Sequence, residues 1–267
     1  MDFIEFRGIK IRYKSIGNID NEAVVLLHGY LESLDIWDGF AEKLSERYFV
    51  VCLDIPGHGE SDVFSKVHRM DELAEAVHAV TDSIGLKKMH IVGHSMGGYV
   101  AMAFREAFQS SVNSCVLFHS TCLPDTKEKR ENRSREIQLV KNGKKELIVN
   151  TNIPRAFADE NLDIYSGEVE RAKKIALKTT EKGICAILNG MKERPDRCEL
   201  LLDDKIPLLI IAGKKDNYIP FEVIQNIQKK AANLEVSALE KSGHMGFIEE
   251  QKKSIIILGE FFEKHKP

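Results

Sequence analysis

One junction restricts the folds open to this chain more than any other stretch. Residues Lys88 to Val100 read KMHIVGHSMGGYV, where a short apolar run (Met89, Ile91, Val92) meets Gly93-His94-Ser95-Met96-Gly97-Gly98. Tyr99-Val100-Ala101-Met102-Ala103-Phe104 follows at once and reads as a buried helix. Strand, tight turn and helix are expected in that order. Glycines at 93 and 97 suit a bend where strand and helix pass so closely that side chains would collide. Ser95 on such a bend would project its hydroxyl into a cleft. Gly-x-Ser-x-Gly fixes only three residues in five, so its weight comes from these flanks; the competing reading is a glycine-rich turn with an incidental serine.

The rest of the chain supplies the matching pieces. Asp2 to Phe6 and Ile9 to Ser15 alternate apolar and polar residues around Arg7-Gly8, which predicts an antiparallel hairpin. Ala23 to Leu27 and Tyr48 to Leu53 are continuously apolar, as strands buried on both faces of a mostly parallel sheet must be. Between them Ser33 is a candidate helix cap, with Ile36, Trp37, Phe40 and Leu44 at helical spacing. Another helix is expected over about 70–84, and a strand over Val112 to His119. Further strands follow over Leu208 to Ala212 and Leu234 to Leu239, with helices over about 221–232 and 248–264. Strand and helix in alternation predict an α/β fold: a mostly parallel central sheet of about eight strands flanked by helices.

The rhythm breaks after Ser120. Residues 121–202 carry charge runs (KEKRENRSRE, KNGKKE, EVERAKK) and no convincing buried strand. Ile137, Leu139, Val140, Leu147 and Ile148, continued by Phe157, Ile175, Leu177, Ile187, Leu188 and Met191, supply an apolar face. We therefore expect an inserted helical segment, 121–202, set into a core of 1–120 and 203–267, with its charge runs on solvated helix faces.

Composition removes several classes. A net charge of -3 and the absence of clustered positive charge argue against a nucleic-acid surface. No run approaches the roughly 18 apolar residues of a membrane span. The first dozen residues mix acids and bases without the apolar core of a secretion signal, so a cytoplasmic location is expected. Five cysteines without regular spacing suggest reduced, mostly buried thiols rather than a disulfide framework. His90 and His94 lack partners at ligand spacing, so no metal is expected, and no cofactor.

A serine hydroxyl at neutral pH needs a base beside it, and that base needs a carboxylate to fix its tautomer. Asp216 follows the strand Leu208 to Ala212 in the loop GKKDNYIP, and His244 follows the strand Leu234 to Leu239 in EKSGHMG. Parallel strands bring their C-terminal ends to one edge, where open α/β sheets bind ligands. Ser95, Asp216 and His244 can therefore converge. Asp203 and Asp204 precede their strand and would sit at its opposite end. His28 and His58, beside glycines, suit loop bracing through backbone hydrogen bonds. His94 should point away from Ser95, while His119, at a strand end, is the alternative base. Asp54 is expected to brace the turn that follows it.

With these residues in order, the chain resembles the α/β-hydrolases, in their cap-bearing esterase and epoxide-hydrolase-like subgroup. His28-Gly29-Tyr30 resembles the family's oxyanion loop and Asp54 to Ser61 its D-x-x-G-x-G-x-S turn, while Arg194-Pro195-Asp196 resembles a segment of small esterase-like members. The inserted segment corresponds to the family's cap in position and helical character alone. The resemblance implies an oxyanion hole made by the backbone N–H groups of Tyr30 and Met96, and a cofactor-free hydrolase acting on a small molecule. Epoxide hydrolases and haloalkane dehalogenases of this group carry aspartate where Ser95 stands, so acyl transfer to serine and then to water is the expected chemistry. A carboxylic ester is the leading substrate class. Hydrolysis of a carbon–carbon bond in a vinylogous diketone, or of a thioester or lactone, stands as the alternative, the diketone needing a fixed cation such as Arg155 or Arg194. A ligand receptor on the same fold is the non-enzymatic reading. His28, Tyr30, His94, His119 and Cys122 are candidate pocket residues. Monomer and dimer are equally compatible with the sequence.

Overall fold

The computed structural model describes residues 1–203, 205–231 and 233–266; Asp204, weighed above as an acid, and Ala232, the expected end of a helix, lie outside the described residues. Among the described residues eight strands form one sheet in the order β1-β2-β4-β3-β5-β6-β7-β8. β1 (Asp2–Phe6) and β2 (Ile9–Ile16) make the expected antiparallel hairpin, with Phe6 opposite Ile9. β2 pairs antiparallel with β4 (Phe49–Leu53), and all remaining pairings are parallel, through β3 (Ala23–Leu27), β5 (Met89–His94), β6 (Val112–Phe118), β7 (Leu208–Gly213) and β8 (Glu235–Leu239). Every residue of β3, β4, β5 and β7 is buried, which is why those segments read as unbroken apolar runs.

Helices cover both faces: α1 (Asp38–Leu44), α2 (Met70–Ser83), α3 (Met96–Ala107), then, after the helical insertion described next, α8 (Phe221–Gln228), α9 (Gly246–Glu249) and α10 (Gln251–Lys264). Ser33 caps not a long helix but a 3₁₀ turn, Leu34–Trp37, that leads into α1; its hydroxyl accepts from the Asp35 N–H. Leu34, Ile36, Trp37, Phe40 and Leu44 are all buried, as their spacing requires. Trp37 packs on Phe247 with ring centroids 4.4 Å apart, and Phe40 and Phe118 complete an aromatic cluster under the sheet edge. Asp54 braces its turn: it accepts from Arg12 Nε at 2.6 Å, Leu34 N at 2.7 Å and Glu60 N at 2.7 Å.

Between β6 and β7 lie α4 (Lys127–Lys141), α5 (Lys145–Arg155), α6 (Ser166–Lys178) and α7 (Glu181–Glu193). Ile137, Val140, Ile148, Phe157, Ile175, Ile187, Leu188 and Met191 are buried. Leu147 and Leu177, expected on the same apolar face, are exposed instead, because helix rotation turns them outward. Among the described residues no helix is long and apolar enough to cross a membrane.

One expectation is overturned at the insertion's base. Cys122, where the chain leaves the sheet, is disulfide-bonded to Cys198, where it returns, with Cα atoms 4.9 Å apart and a sequence separation of 76. The Arg197 N–H also donates to the Cys122 carbonyl at 3.1 Å. The two halves of the bridge are set together by topology alone, so no short-range spacing could announce them. Cys52 and Cys115 are buried free thiols.

Candidate active site

The C-terminal ends of the parallel strands deliver His28 (after β3), Ser95 (after β5), His119 (after β6), Asp216 (after β7) and His244 (after β8) to one edge. Ser95 sits between β5 and α3 with φ 50° and ψ −115°, a region that L residues enter only when the surroundings enforce it. The enforcement is visible. A Cβ at Gly97 would overlap the carbonyl oxygens of Leu27 and His28, one at Gly93 would overlap the Gly97 carbonyl, and one at Gly98 would overlap the Ser120 hydroxyl. Ser120 Oγ donates to the Ser95 carbonyl at 2.6 Å, and the Ser95 N–H donates to the Phe118 carbonyl at 3.0 Å, pinning the bend from below. Non-glycine residues with positive φ among the described residues are Arg7, Leu31, Ser95 and His119; three of the four belong to this edge, where strain of this kind tends to concentrate.

Asp216 and His244 meet in a buried pair, with His244 Nδ1 2.7 Å from Asp216 Oδ2. The other carboxylate oxygen accepts the N–H groups of Tyr218 at 2.8 Å and Ile219 at 2.9 Å, which fixes the plane of the carboxylate. Burial alone would push Asp216 up, but the His244 and His119 imidazoles outweigh it and hold the acid well below the usual carboxylate range. His244 is set by its backbone: its N–H donates to the Ala156 carbonyl at 2.6 Å, at the end of α5. The loop is tied further by buried Glu249, which accepts from Ala158 N, Gly243 N, Met245 N and Asn161 Nδ2.

Ser95 and His244 line the same cavity of about 760 Å³, between the strand ends and the helical insertion. Of the expected pocket residues, Tyr30 and His94 line it; His28, His119 and Cys122 do not. His28 lies beneath the floor, where its Nε2 accepts the Ile55 N–H at 2.9 Å. His58 sits against the Ile55–Pro56 backbone and packs edge-on against the His28 ring, centroids 5.1 Å apart. His119 is buried behind Asp216, 3.3 Å from Oδ2, with the Gly246 N–H donating to its Nε2 at 3.1 Å. Burial lowers it to about 4, so it is a neutral brace rather than the base that meets the cavity. Cys122 is committed to its disulfide. Ligand atoms of His119, Asp216 and His244 lie within 4.8 Å of one another, the convergence a metal would need, but hydrogen bonds among these groups already account for it.

His94 points away from Ser95 in its hydrogen bonding while its ring forms part of the wall. Nδ1 is 3.0 Å from Glu32 Oε2 and Nε2 is 2.9 Å from the His244 carbonyl. Both neighbours are acceptors, so both ring nitrogens carry protons. Burial pushes His94 down and Glu32 more than offsets it, leaving His94 raised; Glu32, pushed up by burial, is lowered by His94. Glu32 also accepts the Gly29 N–H at 2.6 Å, so one buried ion pair joins the His28-Gly29-Tyr30 loop to the His244 loop. The sequence carried no signal for Glu32, whose role depends on a partner 62 positions away.

The backbone of Tyr30 follows Gly29 at the end of β3, and Met96 is the first residue of α3, so its N–H has no partner within the helix. The Tyr30 hydroxyl donates to Glu136 Oε1 in α4 at 2.8 Å, and Asn152 Nδ2 in α5 donates to the same oxygen at 3.1 Å. Tyr218, whose ring lies 5.1 Å from that of His244, donates its hydroxyl to the Asn152 carbonyl at 2.8 Å. Glu136 and its neighbour Arg133 lie in the charge run expected to be solvated, yet both line the cavity; most of α4 is otherwise exposed. Of the two candidate cations, Arg155 reaches the cavity wall, whereas Arg194 is buried against Asp125, 2.7 Å away, and stacks on Tyr99.

Comparison with known proteins follows the same lines. Over 265 residues the chain is 28% identical to the dihydrolipoyllysine-residue acetyltransferase component of an acetoin cleaving system from Pseudomonas putida, covering 98% of this chain and 69% of that protein. Over 249 residues it is 26% identical to a 2-hydroxy-6-oxononadienedioate/2-hydroxy-6-oxononatrienedioate hydrolase from Burkholderia vietnamiensis, covering 88% and 85%. A solved structure of a thermophilic esterase from Thermogutta terrifontis, with malate bound, superposes with a TM-score of 0.93 at 26% identity over 100% of both chains. The family model described as alpha/beta hydrolase fold matches residues 22–160, from the start of β3 through the Ser95 bend and into the insertion. On that match, and on a sheet whose order and pairing agree with it, this chain belongs to the α/β-hydrolase fold family.

Proposed function

We propose that the chain is a serine hydrolase that cleaves a small carboxylic ester through an acyl-enzyme on Ser95, with residues 121–202 acting as a cap over a core of 1–120 and 203–267. The observation that carries this reading is the 2.7 Å contact of His244 Nδ1 with Asp216 in a pair that opens on the cavity Ser95 lines. Asp216 holds the proton of His244 on Nδ1, which leaves Nε2 free as a base. Ser95 Oγ attacks the ester carbonyl carbon as His244 takes its proton. The tetrahedral oxyanion is held by the N–H groups of Tyr30 and Met96. Collapse expels the alcohol, which leaves with the proton from His244, and water repeats the sequence to release the acid. Each fixed oxyanion donor contributes on the order of 100-fold in such a scheme.

The test is hydrolysis of short-chain p-nitrophenyl esters by the wild type and by Ser95→Ala. We expect a fall of at least about 1,000-fold; equal rates would remove Ser95 from the mechanism.

A second reading is carbon–carbon hydrolysis of a vinylogous diketone by the same three residues. Arg133 on the cavity wall is the observation that favours it, since such a substrate presents a carboxylate, and the Burkholderia relative is named for a dienedioate. The Asp125 carboxylate already engages Arg133 through Nε at 2.5 Å, whereas Arg155 on the same wall donates to the Asn217 carbonyl at 3.2 Å; the ester reading is preferred on the similarity to the Thermogutta esterase. The cytoplasm remains the proposed compartment, with the Cys122–Cys198 bridge as the observation against it, because such bridges are rare there. Trapping free thiols at lysis decides the point.

A further inference from the structure

The cavity opposite Ser95 contains a carboxyl group that the proposed chemistry does not use. Glu136, on the inner face of α4, has one oxygen fully engaged: Oε1 accepts the Tyr30 hydroxyl at 2.8 Å and the Asn152 amide at 3.1 Å. Oε2 has no hydrogen-bond or ion-pair partner among the described residues, although Arg133 stands one helical turn away. Arg133 is drawn aside by Asp125, which meets it through Nε at 2.5 Å and Nη2 at 3.2 Å. Asp125 in turn is held by Arg194 Nη1 at 2.7 Å. Arg133 and Glu136 still attract each other electrostatically, but with Arg133 turned to Asp125 no contact at ion-pair distance joins them, and an acceptor oxygen is left on the cavity wall.

Glu136 is half-buried on the cavity wall, and burial raises it above its ordinary value. Its orientation is fixed all the same, because two donors from different elements, the Tyr30 loop of the core and α5 of the cap, hold the same oxygen. A fixed, half-satisfied acceptor facing a reacting centre is what a site needs to recognise a donor on its ligand.

We infer that Glu136 Oε2 is a specificity subsite that accepts a hydrogen bond from a hydroxyl group on the substrate, so that the enzyme prefers hydroxyl-bearing esters over counterparts that lack the donor. The inference rests on the ester reading for its chemistry. Tyr30 ties the two together, since its backbone N–H is assigned to the oxyanion and its side chain orients Glu136. On the cap side Thr126, Asn132, Arg133 and Asn152 line the cavity beside Glu136, with Ile153, Ala172 and Met191 among its apolar lining.

The experiment compares ethyl hydroxybutyrates with the matching ketoesters, which have a similar size but can only accept. Binding to the Ser95→Ala protein is measured by calorimetry, and kcat/KM is measured with Ser95 intact. Glu136→Gln is the informative variant. Its amide oxygen can keep both the Tyr30 and Asn152 bonds, which turns an –NH₂ donor toward the ligand in place of the acceptor. We expect the wild-type cavity to favour the best-placed hydroxyester by at least about tenfold, the scale of one hydrogen bond to a charged acceptor. We expect Glu136→Gln to erase or reverse that ratio. No preference in the wild type, or a preference that survives Glu136→Gln, overturns the subsite. Calorimetry on Ser95→Ala separates the two claims: a binding preference without any Ser95-dependent turnover supports the subsite while refuting the ester reading, and turnover without preference does the opposite.

Discussion

Replacing Asp216 with Asn tests how the base is oriented, and the structure dictates which way the new side chain must sit. The oxygen that accepts the N–H groups of Tyr218 and Ile219 has to remain an oxygen, because an amide –NH₂ there would face two donors. The –NH₂ is therefore forced toward His244 Nδ1, at the position where a carboxylate oxygen stood 2.7 Å away. His244 must then accept at Nδ1 and carry its proton on Nε2, the atom assigned to take the proton of Ser95. The wrong tautomer is expected to lower kcat by about 10,000-fold, or roughly 5 kcal/mol in barrier height, with little change in KM. A second consequence comes from His119. Its Nδ1 lies 3.3 Å from the same oxygen and also faces the Gly213 N–H at 3.2 Å, while its Nε2 faces the Gly246 N–H at 3.1 Å, so an –NH₂ in place of that oxygen adds a third donor around the ring and costs about 1–3 kcal/mol of stability. Steady-state kinetics on p-nitrophenyl acetate and a urea melt measure both effects. A variant that keeps a tenth or more of wild-type kcat would refute the orienting role of Asp216.

Three further predictions follow from separate parts of the molecule. Gly97→Ala would drive a methyl group into the carbonyl oxygens of Leu27 and His28, and we expect a loss of about 3 kcal/mol or more in chemical denaturation; wild-type stability would contradict the close approach of α3 to β3. Reducing Cys122–Cys198, or replacing both with Ser, opens a loop of 76 residues and should cost up to about 4 kcal/mol by the chain-entropy argument; a melting temperature indifferent to reductant would contradict the bridge. His68, His90 and His119 are held by burial at about 4, against an ordinary 6.5, so the unfolded chain takes up protons before the folded one as pH falls. Their contribution is therefore intact above pH 6.5 and is lost between 6.5 and 4, by as much as about 3 kcal/mol each, while raised His94 acts in the opposite sense at its own higher pH. Stability that climbs as pH drops through that window would refute the neutral, buried state of the three.

What the sequence revealed, and what it concealed, divides along physical lines. The strands were legible because burial on both faces leaves only apolar residues, as in Ala23 to Leu27. The bend at Ser95 was legible because its glycines answer to backbone contacts only a few residues wide or across one neighbouring strand. Asp216 and His244 could be located because a loop after a parallel strand has only one edge to occupy. Interactions between distant segments were not legible. Cys122 and Cys198 looked like unrelated thiols, since only the return of the chain to the sheet joins them. Glu136 was hidden in a run of charges whose composition says solvent, because a single turn of α4 decides which of those charges faces inward. His28 and His119 were drawn toward the cavity by their position at strand ends, yet each is buried one layer below it, bonded to backbone or to Asp216.

The proposed chemistry requires Ser95 to be the reactive alcohol. Treating the protein with a fluorophosphonate and mapping the adduct by peptide mass spectrometry tests this most directly, with His244→Ala as comparator. We predict a single adduct on the peptide containing Ser95, loss of ester turnover in proportion to labelling, and little labelling of His244→Ala. An unmodified Ser95, or a modified residue elsewhere with turnover lost in step, would contradict it.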